Sequence, residues 1–275
     1  MRTLAREYFP RDARHPGNLD RTAVYIRSEF EQAQALVSEQ AYDVDDTIYR
    51  NVIAVFGPES TDRIVIGAHY DAAGPLPGAD DNASGVAGLI ELAHLLGRVH
   101  LPRRVELVAY SLEEPPFFRT EHMGSTMHAS ALKSEGVRVR LMISLEMIGY
   151  FSDAPNSQEY PLALMRPFYP SRGDFVAVVG TLGEFFTVRR MRNAMRAATV
   201  LPVEWLSAPR VLSDIDLSDQ MNYWEAGYDA LMVTDTSFYR NKRYHTPADT
   251  PETLDYRRMA LVVVGVYSAV VEFAE

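Results

Sequence analysis

A three-layer α/β/α sandwich, built on a central mixed sheet that is mostly parallel, is the fold class predicted by this 275-residue sequence. Three observations predict it. Short apolar runs such as Ile64–Ala68 and Leu141–Leu145 read as strands buried on both faces. They alternate with stretches whose apolar residues recur at helical spacing, the pattern of an α/β chain. No internal repeat or low-complexity linker interrupts the series, so a single domain over residues 1–275 is expected.

Taken in order, residues 1–16 are mixed and bounded by prolines. Asn18–Ser38 reads as an amphipathic helix with Ala23, Val24, Ile26, Phe30 and Leu36 turned inward. Gln40–Val44 and Arg50–Phe56 read as a strand pair with Asp45-Asp46 in the turn. Arg63–His69 is the next strand and Ala83–Leu96 the next helix, carrying Val86, Leu89, Ile90, Ala93 and Leu96 on one side. Val105–Leu112 is a strand ending in Glu113-Glu114-Pro115-Pro116, Gly124–Ser134 a helix, and Arg140–Ile148 a strand containing Glu146. Residues 151–172, rich in Pro, Ser and Tyr, read as a long loop. Phe175–Val179, Pro202–Trp205 and Ala230–Val233 complete the strands; Glu184–Thr199, Ser218–Ala226 and Pro251–Ala274 complete the helices.

Composition narrows the function. A net charge of −10 argues against nucleic acid or an anionic membrane as partner. The absence of cysteine excludes disulfides, thiolate metal sites and a cysteine nucleophile. Any zinc is then held by His, Asp and Glu, which favours a catalytic over a structural site. The first ten residues hold no apolar signal-peptide core, and the apolar run Met259–Val271 is short and broken by Gly265 and Ser268. A cytoplasmic location is therefore the expectation.

Five candidate metal ligands lie at strand ends or in adjoining loops: His69, Asp80, Glu114, Glu146 and His245. Plainer readings exist. Asp80 and Asp81 suit a helix N-cap, Glu113-Glu114 a solvated strand end, and His245 an ordinary loop. Glu146 is harder to explain away, because a carboxylate inside Leu141–Ile148 is costly without a partner. In His69-x-Asp71, residues i and i+2 of an extended segment point the same way. Asp71 can therefore accept a hydrogen bond from the ring nitrogen that does not bind metal. Ser125 with His128 hints at a serine hydrolase, but the Gly-x-Ser-x-Gly elbow is absent.

Gly67-Ala68-His69-Tyr70-Asp71, Pro77–Gly85, Glu113-Glu114, Leu145–Tyr150 and Tyr244–Thr250 together resemble, in order, the motifs of the M28 family of zinc peptidases. That family includes aminopeptidases, glutamate carboxypeptidases and the related glutaminyl cyclases. The resemblance spans roughly residues 15–275 and implies a zinc-exopeptidase fold and hydrolysis of peptide bonds by a metal-activated water. It implies two divalent metal ions, zinc foremost: one on His69, Asp80 and Glu146, the other on Asp80, Glu114 and His245. Glu113 would be the general base, Asp71 the support of His69, and Tyr244 a donor to the reacting carbonyl. A non-proline cis peptide would fall at Asp80-Asp81. The family usually has Asp where this chain has Glu146.

An aminopeptidase is the reading favoured. A carboxypeptidase needs a cation for the substrate's terminal carboxylate, for which Arg240, beside Asn241, is the candidate. Phe117, Phe118, Phe238 and Tyr239 flank the ligands and can line an apolar pocket. A single-zinc glutaminyl cyclase is the alternative, although neither Trp205 nor Trp224 is near Glu113 or His245 in sequence. A fold used only for binding would be expected to lack a ligand or the base. The expected partner is a peptide with a free terminus, with neither nucleic acid nor membrane; a homo-oligomer is compatible with the sequence.

Overall fold

A computed structural model describes residues 1–210 and 214–275. Its centre is an eight-stranded sheet, ordered β1-β2-β4-β3-β5-β8-β6-β7. The inner strands β4 (Arg104–Tyr110), β3 (Asp62–His69), β5 (Arg138–Glu146) and β8 (Ala230–Thr234) run parallel. An antiparallel hairpin, β1 (Leu36–Val44) and β2 (Thr47–Phe56), closes one edge. At the other edge β6 (Val176–Thr181) runs against β8 and carries β7 (Val203–Ala208) beside it in parallel. The mixed, mostly parallel sheet expected from the sequence is thus the one observed.

Helices α1 (Pro16–Gln32), α2 (Ala83–Leu96), α4 (Phe185–Ala198) and α6 (Tyr256–Ala274) cover one face and build the main core. The inner strands alternate accordingly: Leu141, Ile143 and Leu145 of β5 enter this core, while Met142 enters a smaller one under α3 (Gly124–Ser134) and α5 (Gln220–Ala226). On the α3/α5 face, the β8-β6-β7 end carries its own small cluster of Phe175, Ala177, Val179, Ala208, Ile215 and Met232. The 151–172 segment, long and with a single short turn at Ala163–Met165, lies beside that end. Among the described residues, no helix is long and apolar enough to cross a membrane.

Two expectations shift. The helix predicted to Ser38 stops at Gln32, and Gln34 turns the chain with φ +63° into β1. The closing helix begins at Tyr256, capped by the Asp255 side chain on the Arg258 amide, after a separate turn at Pro251–Thr253. Close packing of the sheet on the α3/α5 side depends on Gly67. A Cβ there would stand 2.1 Å from Cε2 of Tyr110, a fully buried ring whose hydroxyl pairs with that of Tyr223 at 2.8 Å. Gly67→Ala is expected to cost about 1–3 kcal/mol through overpacking. The check is the urea midpoint at unchanged slope.

Candidate metal centre

The parallel strands deliver the site. His69 is the last residue of β3, Glu146 the last of β5, and Glu113-Glu114 follow β4 by three residues. All therefore gather beyond the carboxyl edge of the sheet, where α/β folds collect their ligands. The chain is forced into left-handed backbone at three places around them: Leu112 (φ +60°), Met147 (φ +52°) and His245 itself (φ +53°). Each such non-glycine residue costs about 1–3 kcal/mol, and such strain clusters at functional sites.

The carboxylate at the centre is that of Asp81, not Asp80. Asp81 Oδ1 lies 3.3 Å from His69 Nε2, and Oδ2 lies 2.9 Å from His245 Nε2. Glu146 Oε2 is 3.3 Å from His69 Nε2, and Glu114 Oε2 is 3.3 Å from His245 Nε2. Three donor groups result: His69/Asp81/Glu146 and Asp81/Glu114/His245, which share Asp81, and His69/Glu113/Glu114 beside them. The expectation that Asp80 bridges is corrected for a specific reason. Asp80 turns inward, where Oδ1 accepts from the Gly149 amide at 3.1 Å and Oδ2 from Asn241 Nδ2 at 2.7 Å. The non-proline cis peptide likewise falls one residue later than expected, at Asp81-Asn82.

Neighbours of the triads hold them in place. Asp249 accepts from the amides of Asp80 (3.0 Å) and Asp81 (3.2 Å), which fixes the loop that presents Asp81. Asn82 caps α2 through the Gly85 amide and donates to Leu145 O at 2.8 Å and Glu146 Oε2 at 3.2 Å. A Cβ on Gly85 would sit 2.4 Å from the Leu145 carbonyl oxygen, so glycine is what lets α2 approach the end of β5. Ser218 Oγ donates to Glu146 Oε2 at 2.7 Å. Asp71 stands 3.5 Å from His69 Nδ1, and its carboxylate also accepts from the amides of Glu113 (3.1 Å) and Glu114 (3.0 Å). Its tie to the Glu113-Glu114 backbone was not visible in the sequence.

Arg11 is a further contributor that sequence reasoning missed. Fully buried, it donates to the carbonyls of Tyr70 (3.0 Å), Leu4 (2.6 Å), Pro77 (3.0 Å) and Gly78 (2.9 Å). It ties the end of β3 to the loop before Asp81 and sets a positive charge among the acids. No periodicity marks it; its only signal is a charged residue in the proline-bounded segment before α1.

Arg240 is removed from the candidate site. It is buried, its guanidinium over the Phe175 ring, and it donates to Gln158 Oε1 (2.9 Å), Phe175 O (2.8 Å) and Tyr150 O (3.2 Å). The rings of Phe151 and Phe175 pack against its guanidinium, whose Nη2 has no hydrogen-bond partner. Tyr244 does adjoin the site, its ring stacked on that of His245 with centroids 3.8 Å apart.

The electrostatics fit a cation. Burial alone would depress His69, but the charges of Glu113 and Glu146 prevail and raise its pKa well above the ordinary value. Burial raises Glu113 strongly, with Glu114 and Glu146 adding to it, and pushes Glu114 up to about 8 with help from Asp81. Burial also raises Glu146. Asp81 alone is held low: burial is outweighed by the nearby imidazoles of His245 and His69. Four carboxylates this close cannot all ionise without compensation. Both ring nitrogens of His69 and one oxygen of Glu114 are buried with no hydrogen-bond partner. Orphaned imidazole and carboxylate donors that converge in this way suit a borderline-soft divalent cation.

A mostly parallel α/β sheet with two histidine–carboxylate triads at its carboxyl edge defines a metal-dependent hydrolase. The model of peptidase family M28 matches residues 51–269, and this chain belongs to that family and is a zinc-dependent peptidase. YfbL of Escherichia coli (strain K12), an uncharacterized protein, is 46% identical over 274 residues, covering 97% of this chain and 84% of its own. Aminopeptidase YwaD of Bacillus subtilis (strain 168) is 25% identical over 80% of this chain, which spans only 45% of that relative. Among solved structures, BSAP, a zinc aminopeptidase from Bacillus subtilis, superposes with a TM-score of 0.79 at 16% identity, covering 99% of this chain and 93% of its own. That likeness bears on the fold.

Proposed function

We propose that this chain is a zinc-dependent aminopeptidase with two metal ions bridged by Asp81. The observation that carries this reading is the pair of triads sharing one carboxylate, with an acid outside both triads beside them. His69, Asp81 and Glu146 would hold one ion, and Asp81, Glu114 and His245 the other. A divalent cation there supplies Lewis acidity, acidifying water and polarising a carbonyl.

Glu113 supplies the base. Its Oε2 lies 3.8 Å from His69 Nε2 and it is buried at the edge of the cluster. It takes a proton from the attacking water as the oxygen–carbon bond forms, then delivers that proton to the leaving nitrogen as the carbon–nitrogen bond breaks. Tyr244 stays protonated because burial and the charges of Asp81 and Glu114 disfavour its phenolate. Its ring stacks on that of His245, from which its hydroxyl can donate to the reacting carbonyl oxygen. Two facts support cleavage from the amino end. Arg240 is committed elsewhere, and no Lys, Arg or His among the described residues lines the cavity beside Glu146 to receive a terminal carboxylate.

The test loads the protein with zinc and compares a free aminoacyl p-nitroanilide with its N-acetylated form, alongside a peptide with N-terminal glutamine. Hydrolysis of the free anilide alone, abolished by a chelator and restored by zinc, is expected. Cyclisation of the glutamine peptide without anilide hydrolysis would instead establish a cyclase.

A further inference from the structure

On the face of β6 and β7 opposite α4, a cavity of about 540 Å³ opens beside Glu146 and Tyr244. Its walls are largely apolar and aromatic, including Tyr160, Tyr169, Phe175, Leu206, Met232 and Phe238. The sheet register lays out its floor. Glu146 pairs with Thr234, Thr234 with Ala177, and Ala177 with Glu204. All four line the cavity. Three strand spacings separate Glu146 from Glu204, about 14 Å between backbones.

The charges in this space are of one sign. Glu146, Glu159, Glu204 and Asp214 line it, and among the described residues no cationic side chain does. Glu159 is paired with Lys242, and Asp214 accepts from the Tyr239 hydroxyl. Glu204 makes no hydrogen bond or ion pair among the described residues. Arg192 on α4, the nearest source of compensation along with Arg196, donates instead to Val203 O and Asn193.

Resting on the aminopeptidase reading, we propose that this cavity selects a long basic side chain, arginine or lysine, on the substrate's N-terminal residue, with Glu204 receiving its cation. Such side chains lay an aliphatic stem along apolar and aromatic walls and keep the charged head at a polar end. An extended arginine reaches about 7 Å from its Cα, about half of the row from Glu146 to Glu204, and the Glu204 side chain, without a partner, can lean to meet it. Leucine is about 4 Å shorter and leaves Glu204 facing a gap. An acidic side chain sets a second carboxylate against the unpaired Glu204.

The experiment measures kcat/KM of the zinc-loaded chain on arginyl, lysyl, leucyl, phenylalanyl and glutamyl p-nitroanilides. Arginyl and lysyl substrates are expected to lead, with the glutamyl substrate at least about 100-fold poorer. Glu204→Gln, of the same size, is expected to lower the arginyl-to-leucyl ratio about tenfold. Glu204→Lys should raise the glutamyl-to-arginyl ratio, and thermal midpoints of both variants verify folding. A leucyl or phenylalanyl preference that neither variant moves overturns the basic-residue pocket while leaving the aminopeptidase reading intact. Failure to cleave any free aminoacyl anilide overturns that reading, and the pocket assignment with it.

Discussion

Glu113→Gln is expected to keep its full complement of zinc and its stability while kcat on a free aminoacyl anilide falls about 10²–10⁴-fold, the usual worth of general acid–base catalysis. Glutamine preserves the shape of the side chain but accepts no proton. Glu113 lies outside the two triads that share Asp81, so its loss leaves their donors in place. KM should stay near the parent value, because the lost interaction develops only in the transition state. Its neighbour gives the contrast. Glu114 belongs to the triad with Asp81 and His245, its Oε2 3.3 Å from His245 Nε2, and Glu114→Gln is expected to lose metal together with activity. Near-normal kcat in a fully metallated Glu113→Gln protein would transfer the base to another group.

Much of this was legible in the sequence because local pattern and tertiary outcome agree. Ala83–Leu96 and Gly124–Ser134 are helices with the predicted bounds because apolar spacing marks both, although the cap of the first is Asn82 rather than Asp80 or Asp81. The end of α1 was not legible: Ala35-Leu36-Val37 continues the apolar pattern of the helix, but Leu36 and Val37 join the sheet by pairing with Val55 and Ala54. Asp80 and Asp81 are the same residue type at adjacent positions, so local chemistry cannot say which faces the histidines. That choice is made by partners far along the chain, Asn241 on the Asp80 carboxylate and Asp249 on both amides. Arg240 misled for a related reason. Its nearness to His245 in sequence is real, yet Phe151 and Phe175, brought in by distant segments, capture its guanidinium. The cavity beside Glu146 draws its lining from at least five separate stretches, and beyond Glu146 and Tyr244 themselves the sequence pointed only to Phe238 and Tyr239, beside the ligands.

The sharpest consequence of the Asp80/Asp81 correction is a pair of substitutions whose outcomes diverge. Each Asp81 oxygen faces a different histidine, so Asp81→Asn removes the shared charge from both triads at once. It is expected to strip most bound zinc and to abolish measurable hydrolysis, since a neutral amide is a poor ligand for a borderline-soft dication. Asp80→Asn should behave otherwise. Asp80 contacts Gly149 and Asn241 and belongs to neither triad. The variant is expected to retain metal while losing about 1–3 kcal/mol of stability, because an amide nitrogen set against the donor of Asn241 leaves a buried polar group unsatisfied. Zinc stoichiometry after dialysis, with urea unfolding of both apo-proteins, separates the two. Full zinc in Asp81→Asn and none in Asp80→Asn would reverse the assignment and place Asp80 between the ions.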